Sequence, residues 1–263
     1  MSCPLPPEIL DLIVDHLRDE RTTLKVCCLV SKSWIPRTRK HLFAYIRFHP
    51  TNCPIQLWKR TFPDPSNSPT YHVSTLFLQD IRAGGLADPD LGPWIRTFNC
   101  VGTLRATLEC AAEDQVSLVQ LHGFSPTLKS LCLGLTNIPL SEVFNLACSF
   151  PLLEDLELHT YDSASDIDDW DPPSTSPKLT GSLEIDGGIR SVARRLCDLP
   201  GGLRFSKITL WCGEENFTST MDLVSRCSPT LESFSIYCHF ASTFTSASVV
   251  ARYLTAGFGC RHA

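Results

Sequence analysis

The chain has 263 residues, 43% of them hydrophobic and 19% charged, enough apolar material for one large domain, or one large and one small, and too much for disorder over most of its length. Its formal net charge of −5 is unevenly placed: residues 1–48 carry 8 Lys/Arg against 5 Asp/Glu, and the remainder carries 15 against 23. A mildly acidic body without a basic stripe excludes nucleic acid as the expected partner, because neutralised phosphates supply most of that affinity.

In chain order, the first predicted element is a helix over about 7–18, where Ile9, Leu10, Ile13 and Leu17 recur at spacings of three and four and Leu12 and Val14 widen the stripe. Proline fits its first turn, and Glu8 and Asp11 suit the positive end of the helix dipole. After the charged run Arg18-Asp19-Glu20-Arg21, a second short helix carries Leu24, Cys27, Cys28, Leu29 and Val30. A third, capped by Ser31, holds Trp34, takes Pro36 into its first turns and ends near Leu42-Phe43. Three short helices bury little surface by themselves. They read either as a docking module with an open apolar face or as a cap on the larger domain.

The order Leu5-Pro6-Pro7-Glu8-Ile9, then Leu12-Ile13, Leu17 and Leu24, then Cys28-Leu29-Val30-Ser31-Lys32-Ser33-Trp34, resembles an F-box. The resemblance implies a three-helix module over residues 1–48 that binds the small Skp-type adaptor of SCF ubiquitin ligases and, through it, a cullin-RING ligase. The implied adaptor-binding residues are Leu5, Pro6, Ile9, Leu10, Ile13, Leu17, Leu29, Val30 and Trp34.

Residues 49–71, with Pro50, Pro54, Pro63, Pro65 and Pro69, read as a linker. Beyond it the phrase L-x-x-L-x-L returns in degenerate form. It reads Leu128-x-x-Leu131-x-Leu133, Leu153-x-x-Leu156-x-Leu158, Thr180-x-x-Leu183-x-Ile185, Phe205-x-x-Ile208-x-Leu210 and Leu231-x-x-Phe234-x-Ile236. The second positions are 25, 27, 25 and 26 residues apart. Weaker copies precede them at Val73-x-x-Leu76-x-Leu78 and Ile95-x-x-Phe98-x-Cys100. Helix-like stretches lie between the phrases at 141–149, 189–199, 215–227 and 247–254. One strand and one helix per period resemble a leucine-rich repeat over residues 72–263, although the Asn expected after L-x-L is missing from most copies. The aliphatic pair of each L-x-L should face inward and stack on neighbouring copies, leaving positions such as Cys132 and Glu157 exposed.

Few residues suggest chemistry. Cys27-Cys28, Cys238-His239 and Cys260-x-His262 lack the gap of a structural zinc knuckle, and Cys148, Cys197 and Cys227 at helix ends read as small buried hydrophobes, so no metal site is expected. The phosphate-loop, GxSxG and HExxH signatures are absent, so neither a catalytic residue nor a cofactor is expected. The stretch Asp155–Asp171 holds seven carboxylates and no Lys or Arg; without the EF-hand glycine and terminal glutamate it reads as a solvated loop, or as an acidic rim that steers basic targets. No apolar run reaches the roughly 18 residues of a membrane span. The 13 cysteines form no Cys-x-x-Cys pair, residues Met1 to Pro7 carry no export signal, and the thiols are expected reduced in the cytoplasm or nucleus.

The sequence thus predicts an α/β protein: a three-helix F-box-like module followed by an irregular leucine-rich-repeat solenoid with a parallel sheet. Its predicted role is substrate recognition in an SCF-type ubiquitin ligase. The alternative is a solenoid interaction module whose helical head is only a cap. The target protein is not legible, because specificity would lie in side chains that do not repeat.

Overall fold

A computed structural model describes residues 6–49, 55–82, 94–109, 118–124, 126–160, 170–174, 176–212, 217–238 and 248–249. The chain opens with helices α1 (Pro7–His16), α2 (Arg21–Val30) and α3 (Ile35–Phe43). A 3-10 turn, Lys32–Trp34, leads into α3, and it is this turn that Ser31 caps, its hydroxyl accepting the Ser33 N–H at 3.3 Å. Pro36 sits in the first turn of α3, where no backbone donor is needed.

Strand β1 (Tyr45–Phe48) follows at once, so the last residues of the span read as head belong to the sheet. Its alternation is plain in the burial: Ile46 and Phe48 are inside, Tyr45 and Arg47 outside. The stretch read as linker contains helix α4 (Ile55–Thr61) and two 3-10 turns, Pro65–Asn67 and Pro69–His72. Trp58 anchors α4, with its ring edge-on to Phe43 and Phe48 at centroid distances of 6.2 and 5.8 Å. The prolines flank these short elements rather than dissolving them.

The remaining strands are β2 (Thr75–Arg82), β3 (Thr103–Glu109), β4 (Ser130–Thr136), β5 (Asp155–Thr160), β6 (Ser182–Asp186), β7 (Lys207–Cys212), β8 (Ser233–Cys238) and β9 (Ser248–Val249). They form one nine-stranded sheet in sequence order, and β1 to β8 are all parallel. Helices α5 (Leu140–Cys148), α6 (Ile189–Asp198) and α7 (Phe217–Cys227) occupy three of the crossovers, at the expected places.

The register explains the repeated phrase. Ile46, Leu76, Leu104, Leu131, Leu156, Leu183, Ile208 and Phe234 are cross-strand partners in one column. Phe48, Leu78, Ala106, Leu133, Leu158, Ile185, Leu210 and Ile236 make the second. Both columns are buried as far as β7; Phe234 and Ile236 are only half-buried, because β8 has just the two residues of β9 beyond it. The first position of the phrase is also inside, as Val73, Val101, Leu128, Leu153 and Phe205, and in the β6 copy Leu179 takes that place while Thr180 is exposed.

Three expectations are corrected here. Ile95, Phe98 and Cys100 do not form a strand: Ile95 and Phe98 are core residues of the preceding turns, and the strand is Thr103–Glu109, with Leu104, Ala106 and Leu108 inward. Ser248 and Val249, read as helical, pair antiparallel with Tyr237 and Ile236, where the edge of β8 offers unpaired backbone groups and a β-branched Val suits a strand. In the predicted repeats the intervening Cys132, Glu157, Glu184 and Ser235 are half-buried rather than exposed, and Thr209 is buried, because strands about 4.8 Å apart let neighbouring side chains cover one another. The Cys260-x-His262 pair and residues 250–263 of the predicted repeat region lie outside the described residues, as does most of the Asp155–Asp171 stretch.

Among the described residues, no helix is long and apolar enough to cross a membrane.

Candidate functional site

The head is held together by a small interior and one polar clamp. Val14, Leu24, Cys27 and Thr38 are buried between its helices. The Thr38 hydroxyl donates to the Trp34 carbonyl at 2.7 Å, and the Cys28 Sγ lies 3.0 Å from the Thr38 Oγ1. Across the helices, Arg37 grips both oxygens of Asp15, its Nε donating at 2.6 Å, while His41 Nε2 lies 2.7 Å from Asp15 Oδ1. Hydrogen bonding to Arg37, and then to His41, holds the Asp15 carboxyl well below the usual carboxylate range. The carboxylate therefore fixes α1 against α3 as a charged pair.

Helix α1 is apolar on more than one side, and the interior uses only one of them. Leu10, Val14 and Leu17 form the inward stripe, with Val14 buried and the two leucines half-buried. Ile9, Leu12 and Ile13, spaced by three and one, form a second stripe turned to solvent, 42%, 56% and 38% exposed. Val26, Leu29 and Val30 repeat the same spacing on α2 at 59%, 86% and 63%. Six of the eleven large exposed hydrophobics among the described residues therefore sit on two ten-residue helices. The two helices thus carry a concentrated exposed apolar surface.

Of the residues implied by the F-box resemblance, Pro6, Ile9, Ile13, Leu29 and Val30 are outward, Trp34 is half-buried, and Leu10 and Leu17 face the interior. Leu5 lies outside the described residues. Leu12 and Val26 belong to the outward set although the resemblance did not implicate them as contacts; the signal was present in their three- and four-residue spacing from Ile9 and Val30.

The outer face of the sheet carries two polar rows with the same register as the core. One runs Arg47, Phe77, Arg105, Cys132, Glu157, Glu184, Thr209, Ser235; the other runs Thr107, Gly134, His159, Asp186, Trp211, Tyr237. Charge and ring character change along them. Arg47 lies over the Phe77 ring at 4.9 Å at one end, and Trp211 stacks on Tyr237 at 4.2 Å at the other, with the indole N–H donating to Glu184 at 3.2 Å.

At the centre, His159 Nε2 lies 2.8 Å from Glu157 Oε1 and Nδ1 lies 3.4 Å from Asp186 Oδ2. Hydrogen bonding to Cys132, then Glu157, and to Asp186, outweighs burial and pushes the His159 imidazole up to about 11. Burial raises the Cys132 thiol, whereas the His159 contact lowers the Glu157 carboxyl. The donor atoms of Cys132, Glu157 and His159 all lie within 4.8 Å of one another. The expectation of no metal-ligating group considered only residues close in sequence; this cluster spans two strands, which chain spacing does not reveal. Of the helix-end thiols read as buried, Cys227 is buried whereas Cys148 and Cys197 are half-buried, and burial pushes Cys148 and Cys227 each up to about 11.

Compared with known protein families, curated proteins and solved structures, the chain matches none of them.

Proposed function

We propose that this chain is the substrate-recognition subunit of an SCF-type ubiquitin ligase. The α1–α3 head is an F-box that docks the Skp-type adaptor, and through it a cullin-RING ligase. The body is a leucine-rich-repeat solenoid that holds a target protein on the outer face of its sheet. The observation that carries the reading is the pair of outward aliphatic stripes, Ile9, Leu12 and Ile13 on α1 and Val26, Leu29 and Val30 on α2, in the segment whose sequence order resembles an F-box. At about 1.5–3 kcal/mol for fully burying one such side chain, covering six partly exposed ones offers on the order of 10 kcal/mol before the cost of association. The chain itself would catalyse nothing; it would raise the concentration of a target near a ubiquitin-charged enzyme. Its place of work would be the cytoplasm or nucleus.

The alternative, a repeat protein with a helical cap and no ligase assembly, draws on one feature. Strand β1 follows α3 directly, and the Ala44 carbonyl accepts the N–H groups of Ser74 and Thr75, so the head runs without a break into the first strand pair of the sheet. Co-expression with a Skp-type adaptor separates the two. The wild-type chain should co-purify with it, and Ile13→Glu with Leu29→Glu should abolish this without changing the far-UV circular dichroism, because both side chains already face water. Retention of the adaptor by the double variant, or no capture by the wild type, refutes the ligase reading.

A further inference from the structure

We propose that Cys132, Glu157 and His159 form a zinc site on the outer face of the sheet, with Asp186 as the group that orients the histidine. The inference is independent of the ligase reading and rests on placement. Cys132 and Glu157 are direct cross-strand partners on β4 and β5, and His159 stands two residues beyond Glu157 on the same face. The backbone ladder therefore holds the three side chains side by side, supplying one sulfur, one nitrogen and one oxygen donor.

The geometry is close to what zinc requires. Bonds of about 2.0–2.3 Å in a tetrahedron place neighbouring ligand atoms roughly 3.3–3.8 Å apart. The three donors already lie within 4.8 Å of one another, so shifts of about an ångström would close the set. Each multifunctional side chain has its other polar atom engaged. Arg105 lies 4.0 Å from Glu157 Oε2, which leaves Oε1 turned to His159 Nε2. Asp186 Oδ2 lies 3.4 Å from His159 Nδ1, behind the ring as seen from the cluster, the carboxylate–imidazole arrangement that fixes the tautomer and orientation of a ligating histidine.

Donor type selects the ion. A thiolate with an imidazole favours zinc over magnesium or calcium, which take oxygen donors. Charge balances as well: on binding, the Cys132 S–H bond and the His159 Nε2–H bond both break, the two protons leave to solvent, and one thiolate with one carboxylate neutralises the divalent ion while the neutral imidazole keeps its Nδ1 proton toward Asp186. The site is partly shielded, with the His159 and Glu157 side chains 23% and 30% exposed. Three protein ligands leave the fourth position for a water.

Cobalt(II) is a coloured substitute for zinc and tests the assignment on the full-length chain. After dialysis against a chelator, titration should give one equivalent of a thiolate-to-cobalt charge-transfer band with intense visible bands of four-coordinate cobalt, both removed by zinc. Cys132→Ser should abolish the charge-transfer band while the far-UV spectrum stays unchanged. Asp186→Asn should retain the band and weaken zinc binding about 10- to 100-fold. The chain has 13 cysteines, so an unchanged band in Cys132→Ser would place the metal elsewhere and overturn the proposal, as would the absence of any stoichiometric band in the wild type. Undiminished zinc affinity in Asp186→Asn would overturn the role given to Asp186.

Discussion

Leu156→Ala tests whether stability comes from the columns of stacked aliphatics. Leu156 is 1% exposed and stands between its register partners Leu131 and Leu183. Truncation removes three carbons, and at about 0.8 kcal/mol per buried carbon the transfer loss is about 2.4 kcal/mol. The void is walled by leucines on strands fixed by the ladder, so it collapses little, and the cavity contribution brings the total to about 3–4 kcal/mol. Ile236→Ala removes the same number of carbons from a half-buried position beside the two-residue β9, and should cost only about 1–1.5 kcal/mol. Urea unfolding of the full chain, followed by circular dichroism and tryptophan fluorescence, measures both, provided the slopes match the wild type. A Leu156→Ala cost below about 1 kcal/mol, or an equal cost at Ile236, would refute the stacking argument.

Two further perturbations follow from local geometry. Gly187 has φ +81° and a Cβ there would lie 2.1 Å from the Thr160 carbonyl oxygen, whereas Gly202 has φ +67° and open space around it. Gly187→Ala should therefore cost well over 2 kcal/mol in the same unfolding assay and Gly202→Ala only the backbone penalty of about 1–2 kcal/mol; equal costs would mean the crowding is not real. In the head, the folded-state pKa of Asp15 is depressed, so its contribution is present above the unfolded value of about 3.9 and lost as pH falls through the lower folded value. Thermal melts from pH 6 down to pH 2 should show Asp15→Asn less stable than wild type at pH 6, with the gap closing in acid; a gap independent of pH would exclude the Arg37–Asp15 pair as its source.

What the sequence could reveal depended on whether the deciding interaction is local. The later strands and α5, α6 and α7 were legible, because an alternating aliphatic pair and a helical stripe are each complete within a few residues. The strand at Thr103–Glu109 was not, since Ile95-x-x-Phe98 satisfies the same apolar spacing and only the partner strands Thr75–Arg82 and Ser130–Thr136 decide which segment joins the sheet. Helix α4 was hidden by its flanking prolines, and its anchor is tertiary: Trp58 lies within ring contact of Phe43, Phe48, Phe62 and Phe98. On α1, periodicity identified the apolar positions but not which stripe the protein buries. That choice is made by α3 and the 3-10 turn before it, which pack against α1, with Val14 buried and Ile9, Leu12 and Ile13 left outside.

The same register that builds the core determines the chemistry of the opposite face. Side chains alternate along each strand, so aligning Leu131 with Leu156 and Leu183 necessarily aligns Cys132 with Glu157 and Glu184, and placing Leu135 beside Thr160 brings Gly134 level with His159. A slip of one residue would turn every aliphatic pair to solvent and is excluded by the cost of exposing them. The polar neighbours thus need no mutual attraction to come together; the buried columns impose their positions. Proximity of residues 132, 157 and 159 is consequently a feature of the fold, whereas packing does not dictate that they are a cysteine, a carboxylate and an imidazole. Serine or threonine at 132, like Thr209 and Ser235 farther along the same row, would satisfy the sheet equally. The core accounts for where these three groups stand, and the proposed cation would account for why they are these three.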